Sequence, residues 1–253
     1  MTSTYLFTTF QLGSTFLVTM IILISFYYYF KTKVFKLAPV IAQKTNLIQH
    51  YPFSQVVGSI ELTIVAVCHV AFCMLLLHFL KINIRAIFLD VTLADCFYGA
   101  LIGIGSVGMS VLFCSAAMKV VETVAKDKAP STLAGWLSVS NAGWIRHHKH
   151  TIKIFPIFLA VFIITLQIGS EETIFRSVLF QVFSPFGIKT AFCISTLLFI
   201  YMQTLHMPSM ISAMFPVIGA TIMGITHGLL YIYHPSLTPL IISHLTFFMF
   251  TVI

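Results

Sequence analysis

The sequence predicts an all-α, polytopic membrane bundle of seven or eight transmembrane helices, on three observations. Of the 253 residues, 58% are hydrophobic and only 8% are charged, against about 25% charged in ordinary soluble domains. Mean hydropathy is +0.99. The apolar runs are long and continuous, whereas a membrane barrel shows alternating segments of about 10 residues. So few charges could not cover the surface of a soluble protein of this length.

The first span is predicted at roughly 10–30. It ends in the aromatic cluster Phe26-Tyr27-Tyr28-Tyr29-Phe30, suited to a membrane interface. The chain start lacks a charged leader and its apolar run is long, which reads as a retained span rather than a cleaved signal. Lys31, Lys33, Lys36 and Lys44 follow as loop residues. A second span is expected at about 60–80, followed by a short loop with Lys81, Arg85, Asp90 and Asp95. A third lies at about 97–118, where Gly99 and Gly103 form a small-xxx-small pair that lets another helix approach closely.

Residues 119–153 read as a polar stretch with Lys119, Lys126, Lys128, Arg146, Lys149 and Lys153. It includes Trp136, Trp144 and the cluster His147, His148 and His150, expected as a solvated basic loop at a lipid surface, with metal binding as the alternative. A fourth span runs from Ile154 to Gly169. The piece 177–183 is too short to cross alone and either continues that helix or re-enters. Ser184-Pro185-Phe186-Gly187 marks a turn. Further spans are expected at about 191–205, 211–233 and 237–253.

The chain is expected to be one integral membrane domain, 1–253, with no internal repeat. The bases after the first and third spans place the N-terminus outside and residues 31–57 and 119–153 in the cytoplasm. No basic stripe with interleaved aromatics points to nucleic acid, so the positive balance marks topology and membrane lipids. The cysteines (Cys68, Cys73, Cys96, Cys114, Cys193) show no CxxC spacing and read as small buried hydrophobes.

Residues 190–253 hold no Lys, Arg, Asp or Glu, yet Glu171 and Glu172 stand side by side at the entrance to this apolar half. A charge inside a bilayer costs about 3 kcal/mol or more, so it is a functional hypothesis by default. Neighbours on a helix point about 100° apart and cannot do the same job. Glu172 and Arg176, at i,i+4, can pair on one face. Glu171 is left free, and a free carboxylate in apolar surroundings suits a general base acting on water. The plainer reading is that both acids merely lock helices together. Against it stand His206, His227, His234 and His244 in charge-free segments, which suggest a polar cavity with Met202, Gln203, Tyr231 and Phe248 as possible lining. His234, beside Pro235, is expected at the interface.

Glu171-Glu172-xxx-Arg176, then His206 before Met207-Pro208, then a late His244, resembles the CAAX protease and bacteriocin-processing family of glutamate-type intramembrane endopeptidases. The resemblance covers 154–253, a family-like catalytic core, while 1–153 supplies additional transmembrane helices and basic loops. It implies Glu171 as general base, Glu172 and Arg176 as motif support, His206 orienting the water, and His244 donating to the oxyanion. It also implies no cofactor, and a peptide or lipidated protein as substrate. Two positions depart from the family pattern. Met202 stands where a Phe is usual. Phe248 stands where an Asn usually gives the second oxyanion bond, leaving Gln203, Thr246 or Tyr231 as substitutes.

The leading expectation is therefore a membrane-embedded endopeptidase acting on a lipidated tail or small precursor peptide, in a bacterial inner membrane. The alternatives are a family member that has lost catalysis and serves as a membrane partner or immunity-type protein, and a zinc hydrolase using His206, His244 and a glutamate. A proton-coupled transporter is weaker for want of a repeat.

Overall fold

The computed structural model describes residues 2–88 and 91–252, so Asp90 lies outside the described residues. These form helices with no strand among them. Helix α1 runs through Thr2–Ile24, a π-helical stretch Ser25–Phe30, and Lys31–Ala42. Then come α2 (Phe53–Phe79), α3 (Leu93–Val124), α4 (Leu133–Ser140) and α5 (Ile145–Ile154). Helix α6 spans Ile157–Glu172 and continues through a π-helical stretch, Thr173–Val178, into Leu179–Phe183. The last three are α7 (Ile188–Thr204), α8 (Met210–Tyr233) and α9 (Thr238–Val252). Among the described residues, five helices are long and apolar enough to cross a bilayer: α1, α2, α3, α6 and α8. Helices α7 and α9 are apolar but shorter. The chain is an integral membrane helical bundle.

Two expectations are corrected, and one open alternative is decided. The first helix does not stop at its aromatic cluster. It widens by a π turn and carries Lys31, Lys33 and Lys36 onward as helical residues. Tyr27 of that cluster is buried, and Phe26 stacks on Phe72 with ring centroids 4.1 Å apart. The cluster is therefore partly a packing seam rather than wholly an interfacial belt. The polar stretch 119–153 is mostly helical, because Thr132 caps α4 by accepting the Gly135 N–H and Trp136 anchors through Nε1 to Glu122 Oε1 at 3.0 Å. Of the two alternatives for 177–183, continuation of the preceding helix holds.

The cysteines are all free; Cys73 is buried but Cys193 is exposed, so the buried reading fails there. Helix α3 starts with a capping box, in which Thr92 accepts the Asp95 N–H and Asp95 accepts the Thr92 N–H. Asp95 also pairs with half-exposed His234 at 3.2 Å, where α8 ends.

Helix α3 lies along α9 over most of the length of α9, and the small-xxx-small pair permits it. A Cβ on Gly99 would meet Pro239 O at 2.5 Å, and one on Gly103 would meet Ser243 O at 2.5 Å. Since Ser243 precedes His244, this contact sets the depth of the helix that carries His244. Gly103→Ala is expected to lower stability by about 1–3 kcal/mol through overpacking. Gly105→Ala, with nothing within 4 Å of its Cβ, should be neutral or slightly stabilising, as helical Gly→Ala usually is. Chemical denaturation in detergent checks both; equal midpoints for the two variants would contradict the close approach.

Candidate active site

Helix α6 is the axis of the site. From Ser170 to Phe180 every side chain is buried, so its polar groups must find partners inside the protein. The two glutamates do so in different directions, as neighbours about 100° apart on a helix must.

Glu172 is the hub of one network. Its Oε1 receives His227 Nδ1 at 3.1 Å and His244 Nδ1 at 2.6 Å. Its Oε2 faces Arg176 Nε at 3.5 Å, an ion pair within one helix. His227 donates or accepts at Nε2 with Ser243 Oγ at 2.9 Å. Arg176 is fully buried, lies over the Phe199 ring at 4.7 Å, and reaches Ser195 Oγ at 3.4 Å. Ser195 in turn donates to Phe175 O. The π-helical stretch begins one residue after Glu172, and such widenings recur at functional sites.

Glu171 points elsewhere. Its Oε1 accepts from Gln167 Nε2 at 2.9 Å, and Gln167 Oε1 meets His148 Nε2 at 2.7 Å. Glu171 lines a chamber of ≈ 30 Å³, room for one or two waters. Lys31, Trp144, His148, Met202, Gln203 and His206 share its wall. His206 takes a left-handed backbone conformation (φ 65) at the end of α7, a strain that clusters at functional sites. Its Nε2 lies 3.1 Å from Tyr27 O, and its ring stacks on Tyr28 at 5.3 Å. Burial holds His206 below its ordinary pKa, so it is neutral at pH 7.

Beside the chamber is a cleft of ≈ 360 Å³ lined by His244, Phe248, Trp144, Gln203 and apolar residues of α3 and α8. Trp144 and Gln203 border both spaces. Phe248 fills the boundary, 4.5 Å from the His148 ring, 5.6 Å from His244 and 5.7 Å from Trp144. On the other side a wider cleft of ≈ 600 Å³ includes Glu61, Arg146, His147 and His150 in its lining. There His147 Nε2 meets Glu61 Oε2 at 3.1 Å.

The site residues expected from the sequence thus fall into two groups. Glu171, His206, Met202 and Gln203 meet at the chamber. Glu172, Arg176, His227 and His244 form the adjoining network, with His227 a structural partner of Glu172 rather than cavity lining. Tyr231 is not beside the chamber; it packs edge-on against Phe180. Thr246 packs against Gly103. The expected solvated basic loop is overturned at His148, which is 1% exposed and helical. Burial pushes its pKa down to about 4. Lys31, Trp144, His148 and Gln167 were missed. Gln167 carried a signal, being a polar residue four positions before Glu171 in an apolar run.

Three ligand-capable residues, Glu172, His227 and His244, bring one atom each within 4.8 Å of one another. This differs from the expected zinc set, since His206 stands at the chamber instead. The Arg176 guanidinium beside Glu172 already supplies positive charge there, so the donor set suits a hydrogen-bonded network better than a divalent ion.

Residues 153–250 match the family model for Type II CAAX prenyl endopeptidase Rce1-like proteins. No curated protein and no solved structure matches the chain. The matched stretch contains Glu171, Glu172, Arg176, His206, His227 and His244, and supports a CAAX-type membrane protease in general. Over residues 153–250 the chain is thus similar to the CAAX protease family.

Proposed function

We propose that this protein is a glutamate-type intramembrane endopeptidase that hydrolyses a peptide bond near the membrane surface, in a lipidated C-terminal tail or a small precursor peptide. The observation that carries this reading is Glu171, buried beside a water-sized chamber with its carboxylate held by Gln167 and with His206 on the same wall.

In this reading Glu171 takes a proton from water as the water attacks the scissile carbonyl, and returns it to the amide nitrogen as the C–N bond breaks and the amine leaves; His206 orients the water. The developing oxyanion lies towards Gln203 and His244, at the boundary with the apolar cleft. Gln203 stands in for the Asn that Phe248 displaces. For His244 to donate from Nε2, its ring must carry two protons, because Nδ1 already donates to Glu172 at 2.6 Å. Such donors are typically worth about 3–4 kcal/mol in the transition state. Glu172 and Arg176 hold the motif together. The apolar cleft of ≈ 360 Å³ suits a lipid group or apolar side chains of the substrate. The topology favoured is a bacterial inner membrane with the N-terminus outside, and the partners are membrane lipids and substrate, not nucleic acid.

Phe248 supports the second reading, a relative that has lost catalysis and acts as a membrane partner or immunity-type protein. Purified protein in vesicles, tested on farnesylated and unmodified membrane-proximal peptides, separates the two. The first reading expects cleavage by wild type, with Phe248→Asn changing the rate but not the cleaved bond. Cleavage by Phe248→Asn alone would establish the second.

A further inference from the structure

The hydrogen bonds around Gln167 have only one consistent direction when Glu171 is a carboxylate. A carboxylate only accepts, so the amide nitrogen of Gln167 must face it, as the 2.9 Å contact has it. The amide oxygen then faces His148 Nε2 at 2.7 Å and must accept from it. His148 is therefore required to carry its proton on Nε2. At neutral pH a histidine with its pKa near 4 has one proton only, and the short bond to Gln167 claims it. The 3.2 Å approach of Nδ1 to Trp144 O is left as the weaker contact.

We propose that His148, acting through Gln167, is a positioning residue for Glu171. It fixes the orientation of the Gln167 amide, and the amide fixes the carboxylate rotamer towards the chamber. His148 lies on α5, upstream of the family-matched residues 153–250. The upstream part of the chain thus completes the site. This proposal rests on the reading of Glu171 as the base.

His148 also packs against Phe248 and Trp144, so a packing role must be separated from a donor role. His148→Phe keeps an aromatic ring and removes the donor; Gln167→Leu removes the link. Each is expected to lower kcat about 10- to 100-fold, the scale of a small misplacement of a reacting group, with KM within about twofold. The double variant is expected to be no worse than either single one, because both break the same chain. His148→Gln, which can place an N–H near the same point, should restore most of the rate. Losses that multiply in the double variant, or a raised KM with kcat intact, would overturn the proposal.

A second measurement does not depend on activity. In ¹⁵N-histidine-labelled protein, His148 is expected as the Nε2–H tautomer, and Gln167→Leu should shift the population towards Nδ1–H. A wild-type Nδ1–H tautomer would refute the proposal even in a fully active protein. Failure of the base reading shows differently: cleavage that survives Glu171→Gln, with the His148 tautomer as expected.

Discussion

Glu171→Gln is expected to lower kcat about 10²–10⁴-fold, the usual contribution of a positioned general base, while KM and the melting temperature stay nearly unchanged. Glutamine has almost the volume of glutamate, and its amide oxygen can still accept from Gln167 Nε2. The chamber wall is therefore preserved, and what is lost is the ability to take a proton. Glu171 has no ion pair with Arg176 of the kind Glu172 has; the cation that shares its chamber wall, Lys31, keeps its place over the Tyr27 ring at 4.9 Å. Single-turnover cleavage of a farnesylated peptide, with a melting curve for each sample, measures both quantities. A rate within threefold of wild type would remove Glu171 from the chemistry.

The neighbouring residue is expected to behave in the opposite way. Glu172→Ala should destabilise the protein by about 3–5 kcal/mol, the cost of leaving one partner of a buried charge pair without the other. Arg176 is 0% exposed, and apart from Glu172 its side chain has Ser195 and the face of Phe199. His227 and His244 lose the acceptor of their Nδ1 groups at the same time. At about 2–4 °C per kcal/mol for a protein of this size, the melting temperature should fall by about 6–20 °C. Replacing both partners, as Glu172→Leu with Arg176→Met, should recover much of that loss, although His227 and His244 stay without their acceptor. A melting temperature within 2 °C of wild type for Glu172→Ala would contradict a hub role for this carboxylate.

What was legible in the sequence is what local geometry decides. The pairing of Glu172 with Arg176 follows from i,i+4 spacing on one helix, and the separation of Glu171 from Glu172 follows from helical rotation. Gly99 and Gly103 announced a close helix contact, though not that α9 was the partner. His148 was missed because three histidines among Arg146, Lys149 and Lys153 look like a solvated loop. On α5 they divide by face: His148 is buried against Gln167 of α6, while His147 and His150 lie against Glu61 and Gly58 of α2. Lys31 was missed because an aromatic cluster followed by lysines reads as a helix end, whereas the helix continues through a π turn. Both residues reach the chamber across long sequence separations, which periodicity does not encode. His227 as a partner of Glu172 belongs to the same class, since the contact joins α8 to α6. The roles of His206 and His244 rested on family resemblance alone; the geometry now puts His206 at the Glu171 chamber and His244 on Glu172, with Phe248 between the two spaces.

The central claim is that Glu171, and not a metal ion, activates the water. The most direct measurement is the cleavage rate of protein stripped of metal, with the metal content of the same sample determined by mass spectrometry. Metal-free wild type is expected to cleave at its full rate, and metal-free Glu171→Gln to be inactive. Activity that disappears with the metal, and returns in proportion to zinc bound at one ion per chain, would contradict the claim and transfer the chemistry to Glu172, His227 and His244.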